Sequence, residues 1–165
     1  MRMLNNIQLS PHFSLLELTE SATARQRDIA NIPPPEAVEN LKRLCKGTLE
    51  PLRKALGLPV IITSGYRCKE LNNIVNRSSK TSQHMLGQAA DFYINSAGSM
   101  RRELLIMGFR LIILNEDIDY DQLILYPTFI HVSYVSRSKN RRKIIKANGH
   151  GTYCTVTREA ALCLS

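Results

Sequence analysis

Two short apolar segments, each with one ionisable side chain near its centre, constrain this fold more than any other feature of the sequence. Residues 89–94 are Ala-Ala-Asp-Phe-Tyr-Ile, and residues 129–134 are Phe-Ile-His-Val-Ser-Tyr. Both segments are short and rich in β-branched and aromatic residues, which predicts two strands. Because side chains alternate between the two faces of a strand, neighbouring strands can point Asp91 and His131 into one pocket.

The two ionisable side chains require partners in such an environment. A buried carboxylate without a partner is costly, so Asp91 needs a cation, an arginine or a set of hydrogen-bond donors. His84 precedes the first strand, and Gly87 allows the tight backbone turn that would bring His84 over the pocket. Two histidines and one carboxylate around an open position are typical ligands of a catalytic zinc ion. The alternative for His84 is an ordinary surface histidine.

The length and composition fit one domain. The chain has 165 residues, 44% of them hydrophobic, and contains no apolar run of the roughly 20 residues that a membrane span needs. Its four cysteines form no metal-binding spacing, so we expect reduced thiols. The N-terminus lacks the pattern of a secretory signal peptide, so we expect synthesis in the cytoplasm without such a signal.

The order of predicted elements indicates an α+β domain. Apolar residues recur in steps of three and four from Glu36 to Leu56, which predicts a helix that Pro51 kinks or divides. Helices around a small, mostly antiparallel sheet form a domain over residues 1–148, and residues 149–165 form a loosely attached C-terminal tail. The other predicted elements are helices at 14–24, 69–75 and 100–114, strands at 60–63, 89–94, 122–125, 129–134 and 143–147, and a polar loop at 76–83.

A set of motifs resembles the zinc D-alanyl-D-alanine carboxypeptidase family, whose fold is shared with the hedgehog signalling domain. The motifs are Ser-Gly-Tyr-Arg at 64–67, Leu-Asn at 71–72, Ser-x-His-x-x-Gly-x-Ala-x-Asp at 82–91 and the strand that carries His131. The resemblance covers residues 9–147 and is closest to the compact single-domain forms of bacteria and their phages. It implies a hedgehog/DD-peptidase-like fold and a zinc ion held by His84, Asp91 and His131.

The resemblance also implies roles for two residues at the edge of the pocket. Arg67 matches an arginine that binds and polarises the substrate peptide, since a guanidinium can hold a carboxylate or stabilise a developing oxyanion. The alternative for Arg67 is a surface ion pair. Ser82 is a candidate hydrogen-bond donor to the substrate, and its alternative role is to order the loop.

The chain departs from the family at the general base. Many relatives have a glutamate a few residues before the last histidine, whereas this chain has Tyr126 there and no glutamate in residues 121–131. A general base is worth about 10²–10⁴-fold in rate, although zinc alone lowers the pKa of its water to about 7. Asp121 is the nearest substitute, with a structural role at a strand start as the alternative. We therefore predict that Asp121 or Tyr126 assists proton transfer.

These features together predict a zinc metallopeptidase that acts as a monomer on stem peptides of bacterial peptidoglycan, as a D-Ala-D-Ala carboxypeptidase or an endolysin. The alternative is a non-catalytic zinc-containing module that binds the cell wall. The net charge of +8 favours polyanionic surroundings, but no motif for nucleic acid accompanies it. Six basic residues between 137 and 146 either attract wall polymers or form a solvated strand edge.

Overall fold

A computed structural model of the protein describes residues 7–75, 79–96, 101–148 and 150–164. Part of the predicted polar loop at 76–83 and the first residue of the predicted helix at 100 lie outside these ranges. The strands are β1 Gln8–Ser10, β2 Phe13–Ser14, β3 Val60–Ser64, β4 Ala89–Ile94, β5 Gln122–Leu125, β6 Ile130–Ser133, β7 Lys143–Ala147 and β8 Tyr153–Thr155. The helices are α1 Leu15–Thr19, α2 Ala22–Gln26, α3 Pro35–Leu44, α4 Glu50–Leu56, α5 Lys69–Ile74, α6 Arg101–Leu114 and α7 Arg158–Leu162.

Six strands form the main sheet, in the order β3-β4-β6-β5-β7-β8. Every neighbouring pair is antiparallel except β5 and β7, which are parallel. The last residue of β6 and the first residue of β7 both lie opposite Gln122, so the connection between them passes the start of β5 and β7 runs in the same direction as β5. The predicted α+β class with a mostly antiparallel sheet is therefore confirmed, with one parallel pair that the sequence did not indicate.

The two faces of the sheet differ in what covers them. One face carries fully buried side chains such as Phe92, Ile130 and Val132, which share the main core with α3, α4 and α6. On the opposite face, Asp91, His131 and Ile124 lie in register across β4, β6 and β5. This face forms the floor of a cleft.

The helical stripe from residue 36 to 56 is divided, as expected, but the irregular turn lies before the proline. A π-helical turn at Cys45–Leu49 separates α3 from α4, and Pro51 sits in the first turn of α4. In a regular helix the proline ring would clash with the carbonyl of Gly47, four residues earlier. The widened turn, in which the Glu50 amide donates to the Cys45 carbonyl, accommodates it.

The N-terminal helical region consists of two short helices rather than one. The hydroxyl of Ser14 caps α1 and that of Ser21 caps α2, each accepting a backbone N–H three residues later. Each serine thus starts a new helix. All four cysteines lie within the described residues, and each is free.

The C-terminal residues pack more firmly than expected. Strand β8 pairs with the edge of β7, and the side chain of Ala161 in α7 is fully buried in the main core. The guanidinium of Arg110 in α6 donates to the carbonyl of Leu164 at 2.7 Å. The expectation of a loosely attached tail was therefore wrong for residues 150–164, whose three-residue strand is too short to show a periodic pattern.

Candidate metal centre

His84 lies in a tight turn that is pressed onto α3. The 3₁₀ turn Gln83–Leu86 begins at Ser82, whose hydroxyl accepts the His84 amide at 3.4 Å. It ends at Gly87, with a φ of +68°, and a Cβ there would collide with the Ala37 carbonyl. Glycine is required on both counts, and the turn leaves His84 only 3% exposed.

Strand pairing brings the other two predicted ligands together. Asp91 of β4 lies directly opposite His131 of β6. The Nδ1 atom of His131 is 2.8 Å from Oδ1 of Asp91, and Nε2 of His84 is 3.3 Å from both of these atoms. The three residues predicted from the sequence thus meet at one point.

A backbone contact sets the tautomer of His84. Its Nδ1 atom lies 2.7 Å from the carbonyl of Gly65, so Nδ1 carries the proton and donates. In the neutral ring, Nε2 then presents a lone pair towards Asp91 and His131. A carbonyl that accepts a hydrogen bond from the other ring nitrogen commonly orients a histidine that binds a metal.

The arrangement fits a divalent cation. In a tetrahedral site with bonds of about 2.0–2.1 Å, two ligand atoms are about 3.3 Å apart. The three separations here are 2.8, 3.3 and 3.3 Å. A lone pair of His84 that faces a carboxylate oxygen of Asp91 is unfavourable without a positive charge between them. The chemistry of the donor set, with two imidazole nitrogens and one carboxylate oxygen, suits zinc.

The electrostatics of the cluster favour the forms that bind a metal. Burial lowers the pKa of His84, and this outweighs the opposite effect of Asp91. Burial by itself would raise the pKa of Asp91, but His84 and His131 together hold that pKa well below its usual range. The lowered pKa of Asp91 keeps its carboxylate ionised at neutral pH, which is the form that binds a metal.

Arg67 contacts one of the three predicted metal ligands directly. Its Nη2 donates to Oδ2 of Asp91 at 2.7 Å, and its Nε donates to the Ser64 hydroxyl at 2.8 Å. The side chain of Arg67 is 12% exposed, so this ion pair is not the surface pair that we considered as an alternative. Since Arg67 occupies Oδ2, the other oxygen of Asp91 stays directed at the histidines.

An open cleft of about 1110 Å³ lies above the three ligands. All of the site residues predicted from the sequence line it: Arg67, Ser82, His84, Asp91, Asp121, Tyr126 and His131. The cleft is large enough for a peptide segment, since ligand pockets commonly measure about 300–1,000 Å³.

The contacts of Asp121 favour the structural alternative over a role as general base. Its carboxylate accepts the guanidinium of Arg141 at 2.5 Å, the Gln83 amide at 2.9 Å and the Arg141 backbone N–H at 2.9 Å. Asp121 is only 1% exposed, and burial by itself would raise its pKa. The hydrogen bonds from Arg141 and Gln83 together have the larger effect, so the pKa of Asp121 is lowered. Both oxygens are occupied, which leaves none directed at a substrate.

Tyr126 lies at the cleft as a neutral phenol. Its ring stacks on Phe129, with centroids 4.3 Å apart, and its hydroxyl lies 3.4 Å from that of Tyr153. Burial raises the pKa of Tyr126, and the nearby Tyr153 and the negative charge of Asp91 raise it further. At neutral pH this hydroxyl can donate a hydrogen bond but cannot act as a base.

Several residues of the site were not predicted. Ser64 and Gly65 belong to the motif at 64–67, where the Ser64 hydroxyl accepts from Arg67 and the Gly65 carbonyl accepts from His84. Their position beside Arg67 is the sequence feature that could have identified them. Gln83 adjoins His84 in the second motif, and Arg141 was one of six basic residues with nothing to distinguish it. No sequence pattern pointed to Tyr153.

Among the helices of the described residues, none has both the length and the hydrophobicity that a membrane span requires.

A comparison with protein families extends these observations. The family model of Peptidase M15 matches residues 11–110, more than half of the chain. This segment contains Arg67, His84 and Asp91, while His131 lies beyond it and joins the cluster through the pairing of β4 with β6. No curated protein sequence matches the chain. The chain belongs to the Peptidase M15 family, the family of zinc D-Ala-D-Ala carboxypeptidases.

Proposed function

We propose that this protein is a zinc-dependent peptidase that hydrolyses peptide bonds in the stem peptides of bacterial peptidoglycan. The observation that carries the proposal is the meeting of three ligand atoms within 3.3 Å of one another at the floor of an open cleft. Membership of Peptidase M15 supports the substrate class. The D-Ala-D-Ala carboxypeptidase and endolysin activities are the two forms that the proposal takes.

His84, Asp91 and His131 would hold the ion. Zinc in such a site lowers the pKa of its water to about 7 and polarises a carbonyl group. Arg67 keeps the Asp91 carboxylate oriented through Oδ2, and its position at the cleft allows it to attract a carboxylate of the substrate.

Tyr126, rather than Asp121, is the residue that we propose to assist proton transfer. Asp121 has both oxygens occupied by Arg141 and Gln83. The phenol of Tyr126 stays protonated and lines the same cleft as the ligands, so it can donate a hydrogen bond to the carbonyl oxygen or to the departing amine.

The rim of the cleft supports an anionic substrate. Lys139 and Arg141 both line it, and the Arg141 side chain is 57% exposed although its Nε and Nη2 hold Asp121. Exposed positive charge at a cleft raises the local concentration of anionic ligands. We propose the cell wall, with its anionic polymers, as the place of action.

Digestion of defined muropeptides by the zinc-loaded protein tests the proposal. We expect shortened stem peptides, with free D-alanine if the protein is a carboxypeptidase, detected by mass spectrometry. Activity should disappear with a chelator and return when zinc is added back. A protein that holds one zinc ion per chain and cuts none of the fragments would contradict the proposal.

A non-catalytic module that binds the wall is the second candidate. Among the described residues that line the cleft, the acidic ones are Asp91 and Asp121, and both are paired with arginines. No free carboxylate there can act as a base, which favours this alternative. It predicts zinc-dependent retention on isolated wall material with no release of fragments.

A further inference from the structure

The last strand of the sheet contributes a tyrosine to the cleft. Strand β8 pairs with β7, and Tyr153 lies opposite Ala147 in that ladder. Ile145, two residues before Ala147, lies in register with Ile124 and so on the face that carries the metal ligands. Since side chains two residues apart share a face, Ala147 and Tyr153 lie on the cleft side.

Tyr153 contacts Tyr126 through its edge and its hydroxyl. The two rings meet at 85° with centroids 6.2 Å apart, and the hydroxyl oxygens are 3.4 Å apart. Phe129 stacks on the Tyr126 ring, with the two ring planes tilted by only 14°. The Tyr126 ring is therefore held by two contacts, one with an apolar ring and one that includes a polar group.

Packing alone does not explain a tyrosine at position 153. The residue is 48% exposed, so about half of its surface remains in contact with solvent in the folded protein. The neighbouring residues 147, 148, 150 and 151 line the same cleft. What distinguishes Tyr153 from the other exposed residues of β8 is its contact with Tyr126.

We propose that Tyr153 is a positioning residue for Tyr126, and that residues 147, 148, 150, 151 and 153 form one wall of the substrate cleft. This inference rests on the proposed function. A phenolic hydroxyl can donate one hydrogen bond and accept another. In the free protein the Tyr126 hydroxyl donates to Tyr153. With substrate bound, Tyr153 donates to the Tyr126 oxygen, which frees the Tyr126 proton for the substrate.

A double-mutant cycle with Tyr126→Phe and Tyr153→Phe tests the inference. We expect Tyr153→Phe to lower kcat about 5-fold, the worth of one hydrogen bond, and to leave KM and the melting temperature unchanged. In the Tyr126→Phe background the same substitution should have no further effect, because the group that it positions is gone. Tyr153→Ala, which removes the wall, should also raise KM.

Cys154→Ser is the matched control. Cys154 is the next residue of β8, is exposed, and points to the opposite face of the sheet. Its substitution should leave kcat unchanged. In protein labelled with ¹³C at the tyrosine Cζ, Tyr153→Phe should shift the Tyr126 resonance, assigned by its loss in Tyr126→Phe, and Cys154→Ser should not.

Three outcomes would overturn the inference. An unshifted Tyr126 resonance in Tyr153→Phe would rule out the contact, whatever the activity. An undiminished loss of kcat in the Tyr126→Phe background would show that Tyr153 acts independently, while the proposed function stands. A wild-type protein that cuts no muropeptide would remove the proposed function, and the role of Tyr153 in it, even with the resonance shift intact.

Discussion

Two buried aspartates line the same cleft, and their surroundings differ in one respect that separates a candidate metal ligand from a structural ion pair. Asp91 and Asp121 are 8% and 1% exposed, and each is bonded to an arginine. Arg67 engages only Oδ2 of Asp91, so Oδ1 faces His84 and His131. Arg141 and Gln83 occupy both oxygens of Asp121.

The comparison teaches that burial and an arginine partner do not by themselves identify a functional carboxylate. A carboxylate offers about four lone-pair directions, and its free directions decide what it can still bind. Asp91 keeps one oxygen for the two histidines, and the lone pair of His84 that faces this oxygen needs a cation. Asp121 has no such oxygen, which suits a group that fixes the β6–β7 connection through Arg141.

Replacement of Asp91 should have the largest effect. We expect Asp91→Asn to weaken zinc binding by about 100-fold or more and to abolish peptide hydrolysis, because it removes a charged ligand. Asp121→Asn should retain zinc. Competition titration with a chromogenic chelator measures both affinities, and equal losses in the two variants would contradict the distinction between the carboxylates.

Replacement of the two arginines should give the next largest difference in zinc affinity. Arg67→Gln should weaken zinc binding by about 10–100-fold, since it removes the hydrogen-bond donor that orients the Asp91 carboxylate. Arg141→Gln should leave zinc affinity unchanged and lower the free energy of unfolding by about 2 kcal/mol, because a buried carboxylate loses its donors. Urea unfolding measures the second effect, with the exposed Lys146→Gln as control. A zinc affinity lowered equally by Arg141→Gln would contradict the comparison.

Acid should reveal the contribution of Asp121 to stability. Its pKa in the folded protein is lowered, so the unfolded state binds more protons between the folded value and the unfolded value near 3.9. The free energy of unfolding should fall as the pH drops below about 4, and Asp121→Asn should reduce this slope. Urea titrations of the metal-free protein at several pH values check the sign. A slope that is unchanged in Asp121→Asn would show that other carboxylates carry the effect.

Ser82 should show the smallest effect. If its hydroxyl only orders the turn before His84, Ser82→Ala should cost about 0.5 kcal/mol in stability and leave KM unchanged. If the hydroxyl donates to the substrate, KM should rise while stability changes little. Thermal unfolding and Michaelis kinetics on the same preparation distinguish the two roles.

Much of the site could be predicted because its ionisable residues stand within segments that are otherwise apolar. Asp91 and His131 interrupt apolar strands, and the alternation of side chains along each strand predicts the face to which they point. The strands at 89–94 and 143–147 have the predicted bounds. The predicted helix at 69–75 ends one residue early, at Ile74. Local patterns of this kind survive folding because burial on one face enforces them.

The partner of Asp121 could not be predicted, because it depends on contacts that no local pattern records. Arg141 lies 20 residues away in a run of basic residues, and the fold selects it by bringing the β6–β7 connection back over the sheet end. Strand β8 has three exposed residues and so lacks the apolar alternation of a half-buried strand. Its tyrosine became visible only once the sheet order was known.

The pairing of β4 with β6 has a consequence for how mutations far from the cleft would act. A slip of one residue would send the imidazole of His131 to the helix-covered side and expose Ile130 in its place. The buried apolar side chains of Phe92, Ile130 and Val132 therefore fix the register that brings the predicted metal ligands together. Core substitutions that disturb this register should weaken metal binding before they unfold the chain. A metal-binding assay is therefore a more sensitive measure of core defects than the melting temperature.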